Sequence, residues 1–125
     1  MVVIEIKGET PNSSYSDLEQ FSVESGAYDY ANTIRWNDLL TSSVNNGLIK
    51  DMFKEYYNDV LKEWKMMLFS DTLEQAEEFR NIIFENDDVK QIIEDVEETG
   101  VVVTVDVRNC HPTVANGALK IIQTV

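Results

Sequence analysis

The sequence predicts an α+β domain: a small, mostly antiparallel sheet built from N- and C-terminal strands, with three or four helices (about residues 33–98) packed on one face. Three observations predict it. Apolar residues alternate with polar ones at both ends of the chain, and between them they recur every three or four residues. The length, 125 residues, suits a single domain over 1–125 that buries roughly two-thirds of the surface its unfolded chain exposes. Strands at both ends with helices grouped between them form two layers around one core.

Val2, Ile4 and Ile6 alternate with Val3, Glu5 and Lys7, the period of a strand with one buried face. Gly8 to Ser16, with Pro11, Asn12 and three serines, reads as a loop. Phe21 and Val23 on one side of Ser25-Gly26, and Tyr28 and Tyr30 on the other, fit a hairpin; Asp17 to Glu24 also fits a short helix. Ile34, Leu39, Leu40 and Val44 are helically spaced over 33–44, and Asn45-Asn46-Gly47 ends the pattern. Residues 48–68 predict a long helix whose stripe runs through Leu48, Ile49, Met52, Phe53, Tyr56, Tyr57, Val60, Leu61, Trp64 and Leu68. Phe53 and Trp64 are expected on its buried side.

Asp71 followed by Glu74 resembles a capping pair before a helix with Leu73, Ala76, Phe79, Ile82 and Ile83 inward. Asn86-Asp87-Asp88 caps the next helix, with Val89, Ile92, Ile93 and Val96 inward and Gly100 just past its end. Val101, Val103, Val105 and Val107 alternate along a strand over 101–108. A turn over Asn109 to Gly117 then leads to a last, antiparallel strand over Ala118 to Val125.

Twenty-three acids against ten bases give a net charge of −13, which speaks to partners more than to fold. Direct nucleic-acid binding needs a basic patch, and the ten Lys and Arg are scattered. No apolar run approaches the roughly 18 residues that cross a bilayer, and an acidic surface is repelled by anionic headgroups, so no membrane partner is expected. Apolar residues at 43% supply enough core to fold without a metal or disulfide. A single cysteine and no visible targeting segment point to the reducing cytoplasm.

The residues capable of chemistry argue against an enzyme. Cys110 and His111 are chain neighbours, so on an extended segment their side chains diverge, and Cys110→Ser and His111→Ala are expected to be harmless. Glu74, Glu77 and Glu78 share a helical face without the histidine at i+3 that a carboxylate di-metal site needs, and 86–88 lacks the ligand pattern of a calcium loop. The five glycines form no phosphate loop. Neither catalytic residue, metal nor cofactor is expected.

Residues 71–98 are the most informative stretch, with eleven acids against Arg80 and Lys90. Glu74, Glu77, Glu78, Asp87, Asp88, Glu94, Asp95, Glu97 and Glu98 are therefore the expected partner-binding residues, and the expected partner is a protein with a basic surface. Carboxylates three and four apart on a helix lie about 5–6 Å from each other, of the same order as phosphates along a strand. The chain is similar in size and charge to small acidic proteins of phages and mobile elements, including anti-restriction and anti-CRISPR inhibitors, a similarity of composition that covers no motif. It implies an inhibitor of a nucleic-acid-processing enzyme. The other readings are an assembly subunit whose charge gives solubility and whose aromatics make a homodimer interface, and a small carboxylate-dependent enzyme.

Overall fold

A computed structural model describes the backbone of residues 1–115 and 118–124 and the side chains of residues 1–108. It shows an α+β fold: β1 (Val2–Glu9), α1 (Leu18–Glu24), α2 (Tyr30–Asn45), β2 (Phe53–Asn58), β3 (Glu63–Ser70), α3 (Leu73–Glu85), α4 (Asp87–Glu98), β4 (Val102–Ala115) and β5 (Ala118–Thr124). The strands form one sheet in the order β2-β3-β1-β4-β5, with every neighbouring pair antiparallel.

The terminal alternation holds and sets the core. Val2, Ile4 and Ile6 are buried; Ile4 lies opposite Leu68 and Val107, and Ile6 opposite Met66 and Val105, so one sheet face is apolar across three strands. Helix α3 lies across β1, β3 and β4, while α4 packs beside β4 and against α2. Phe79 and Phe21 are fully buried beneath this layer, a position worth about 1.5–3 kcal/mol for each side chain.

The largest departure from the sequence reading lies at 48–68, where a β2–β3 hairpin replaces the long helix. Apolar residues are dense enough there to satisfy both periods. Trp64, Met66 and Leu68 also alternate, and all three are buried, whereas Val60 and Leu61 are exposed at the hairpin turn. That turn is set by Asn58, whose Oδ1 accepts from the N–H groups of Val60 and Leu61, both at 3.0 Å. Phe53, expected in the core, is half exposed on edge strand β2. The sheet thus draws two strands from mid-chain, and its helices lie outside them in sequence.

A hairpin around Gly26 is also absent, because aspartates on either side start helices. Asp17 accepts from the Gln20 N–H at 2.9 Å and Asp29 from the Asn32 N–H at 2.7 Å, capping α1 and α2. The short-helix alternative for 17–24 is the one observed, and Gly26, at φ 74°, turns the chain between two helices. The expected loop at Gly8 begins later, after Glu9. Gly8 continues β1 opposite Trp64, and a Cβ there would meet Trp64 Cε3 at 3.2 Å and Val101 Cγ1 at 3.1 Å. The strand keeps a glycine where the indole covers it.

Toward the C-terminus, β4 runs on through Ala115, beyond the expected break at 109, and pairs antiparallel with β5 as expected. The side chains of Cys110 and His111 lie outside the described residues. Among those described, no helix is long and apolar enough to cross a membrane.

Candidate functional site

The two acidic helices form a hairpin hinged on one residue. Asn86 ends α3 and caps α4, its Oδ1 accepting from the N–H groups of Asp88 at 2.9 Å and Val89 at 3.1 Å. At the start of α3 Thr72, not Asp71, is the cap, accepting from Gln75 N–H at 3.2 Å. Asp71 instead pairs with Lys50 at 2.7 Å. Ala76, Phe79 and Ile83 of α3 and Val89, Ile92 and Val96 of α4 face inward as the periodicity predicts.

With these stripes buried, Glu74, Glu77, Glu78, Asp87, Asp88, Glu94, Glu97 and Glu98 are exposed. Asp95 differs from the other expected site residues. It is half-buried and accepts from Asn32 Nδ2 at 3.1 Å and Gln91 Nε2 at 2.8 Å, tying α4 to α2. None of these nine carboxylates makes an ion pair among the described residues.

The opposite face of the sheet shows the contrast. There Glu5 is buried beneath Arg108, at 2.9 and 3.4 Å, with Lys65 at 3.8 Å, and Lys7 bridges Glu9 at 3.1 Å and Glu63 at 4.0 Å. Directly opposed residues include Lys7 with Lys65, Glu9 with Glu63 and Glu5 with Asp106, which repel. Bridges along the strands and across the diagonals link these three unfavourable pairs, with Arg108, into one network of four acids and three bases. Segments 17–45 and 71–98 hold sixteen acids against Arg35, Arg80 and Lys90, a net −13, so the remainder of the chain is balanced. The whole excess charge belongs to the helical segments.

Between α4, the end of α3 and β4 runs a groove of about 290 Å³. Ile83, Phe84, Ile93 and Val103 line it, with Lys90, Glu94 and Glu97 also contributing. Phe84 is half exposed, and the Arg80 guanidinium lies 5.6 Å from its ring centroid. Sequence reasoning missed this groove: Phe84 lies one residue past the inward series 76, 79 and 83, the only signal it gives. Among the described residues no group of three or more His, Cys, Asp or Glu is placed to hold a metal.

Several of the other aromatics are structural. Tyr15, Phe21, Tyr57 and Trp64 pack with ring centroids 5.5–5.6 Å apart. Tyr28 donates a short hydrogen bond to Glu55, which also accepts from Trp64 Nε1 at 2.8 Å. Burial first, and then the Glu55 charge, hold the Tyr28 phenol well above its ordinary range. Trp36 and Tyr15 are buried, whereas Tyr30 and Tyr56 are exposed.

No protein-family model matches the chain, and comparison with curated proteins and with solved structures finds no match.

Proposed function

We propose that this chain is an acidic binding protein that occupies a basic nucleic-acid-binding site on a partner enzyme and inhibits it, as counter-defence proteins of the anti-CRISPR or anti-restriction type do. The observation that carries the reading is the partition of charge. The bases on the open sheet face pair with its acids, while the acids of α3 and α4 stand unpaired among the described residues.

Several of those acids sit where they reduce stability. Glu94, Glu97 and Glu98 lie toward the C-terminus of α4, whose last turn has no basic residue, so the helix dipole opposes them. Glu74 with Glu77 and Glu78, and Glu94 with Glu97 and Glu98, are spaced three and four apart and repel by a few tenths of a kcal/mol per pair. Solubility alone is served by charge on any surface. Charge held on one layer at a cost suits an electrostatic partner. The groove adds a place for a lysine or arginine, its aliphatic stem along Phe84 and Ile93 and its head at Glu94 or Glu97.

The experiment is affinity capture from the native host, followed by elution with duplex nucleic acid and mass spectrometry. A nucleic-acid enzyme released by the competitor is the expected result. Recovery of this chain alone would instead favour an assembly subunit.

A further inference from the structure

We infer that the outer edge of β2 is a docking site for an extended segment of another protein, one that carries a basic and an apolar residue two positions apart. This goes beyond the acidic helices and uses a different surface.

Strand β2 ends the sheet and has β3 as its one neighbour. Apart from that ladder, no backbone group of residues 53–58 is hydrogen-bonded among the described residues. Alternate N–H and C=O groups along it therefore face outward, ready to pair with an added strand. Edges of this kind are normally blunted by proline, bulges or inward charges. β2 has no proline, its helix-side acid Glu55 is already engaged by Tyr28 and Trp64, and its one lysine, Lys54, stands on the open face of the sheet, away from the helix side.

The surroundings are apolar. Among the described residues five of the eleven exposed large apolar side chains, Met52, Phe53, Tyr56, Val60 and Leu61, fall within ten positions on this hairpin. Beside Phe53 a groove of about 260 Å³ opens between the end of α2 and the sheet, lined by Leu40, Val44, Ile49 and Met52 together with Asp51 and with Lys50, which is paired to Asp71. In an antiparallel addition, like every pairing already in the sheet, the residues opposite Phe53 and Glu55 point to this same side. An apolar side chain opposite Phe53 enters the groove. Two positions earlier in the added segment, a lysine or arginine lies opposite Glu55, whose Oε2 takes both existing hydrogen bonds and leaves Oε1 to accept another.

Charge selects the occupant. A second copy paired through β2 would bring two helical layers onto the same side of one continuous sheet, each with the −13 of segments 17–45 and 71–98. A basic segment from another protein is attracted by the field that opposes that dimer.

The probe is a labelled eight-residue peptide that repeats Lys-Thr-Leu-Thr, measured by fluorescence anisotropy with the full chain. Two further versions carry N-methyl groups on alternate residues, odd or even, so that each loses the amides of one edge. Binding should weaken at least tenfold, about 1.4 kcal/mol, in one methylated version only. It should weaken similarly with Thr41→Arg, an exposed groove residue where a long cation blocks and repels. The peptide with Glu for Lys should not bind. Equal binding of both methylated versions, indifference to Thr41→Arg, or no binding of the parent peptide up to about 1 mM would overturn the inference. So would a dimer in sedimentation that Tyr56→Lys dissociates, because the edge would then belong to a second copy. Neutralising Glu77, Glu78, Asp87 and Asp88 separates the two proposals. Peptide affinity should fall less than tenfold with that change, through the weaker general field, even where capture of the enzyme partner is lost; a loss of tenfold or more would move the peptide onto the helices and overturn strand addition.

Discussion

Glu5 and Glu55 are both carboxylates in strands, yet the sheet satisfies them by different chemistry. Glu5 lies under Arg108 and Lys65 on the open face, while Glu55, on the helix side, takes neutral donors from Tyr28 and Trp64. The second arrangement raises the Tyr28 pKa from its ordinary 10.0, which gives stability a direction with pH. Unfolded, the phenol ionises near its ordinary value; folded, it stays protonated. Its contribution is therefore complete below about pH 10 and is lost as pH rises further. The Lys7 ammonium, raised by its hydrogen bond to Glu9, acts in the same direction, so the test is a comparison. Urea midpoints of Tyr28→Phe should start lower at about pH 8 and then decline less steeply than wild type toward about pH 11. Parallel curves would show that Tyr28 ionises as freely in the folded chain as in the unfolded one. No sequence signal marked this contact, since Tyr28 and Glu55 are brought together by the meeting of an interhelix turn with an edge strand.

At the scale of elements, α3, α4 and the first and fourth strands were legible because one period dominates each, and the start of α4 is also marked by its Asn86 cap. Residues 48–68 were not, because twelve apolar residues in 21 positions satisfy a helical stripe and a strand alternation at once. Tertiary pairing decided between them, as β1 supplied a partner for Trp64, Met66 and Leu68. The acidic face was readable from α3 and α4, but Asp95 was grouped with it because helical spacing does not reveal Asn32 on a neighbouring helix. The two architectures predict different mutational costs. Phe79→Ala in α3 should destabilise by about 3–5 kcal/mol, as for a buried aromatic, and Phe53→Ala on the edge strand by no more than about 1 kcal/mol. Chemical denaturation measures both. A loss at Phe53 as large as that at Phe79 would return Phe53 to the core and contradict the hairpin.

On the scale of the whole molecule, the sheet separates two electrostatic regimes, an ion-paired network on one side and an acidic helical layer without ion pairs among the described residues on the other. Net charge and its concentration in 71–98 were visible in the sequence, whereas the pairing of the remaining bases became visible only once 48–68 folded as a hairpin and placed Lys65 beside Glu5 and Glu63. The central claim is that this layer attracts a basic partner. Such attraction is screened, because the Debye length shrinks from about 10 Å at 0.1 M salt to about 3 Å at 1 M. The deciding measurement is a binding titration against the captured partner at several salt concentrations. It compares wild type with the combined variant Glu77→Gln, Glu78→Gln, Asp87→Asn and Asp88→Asn, all exposed positions at which Asn86 retains the cap of α4. Weaker binding by the variant is expected, chiefly through slower association, with a shallower dependence on salt. Equal affinities with equal salt slopes would contradict the claim and leave the acidic helices with solubility as their only role.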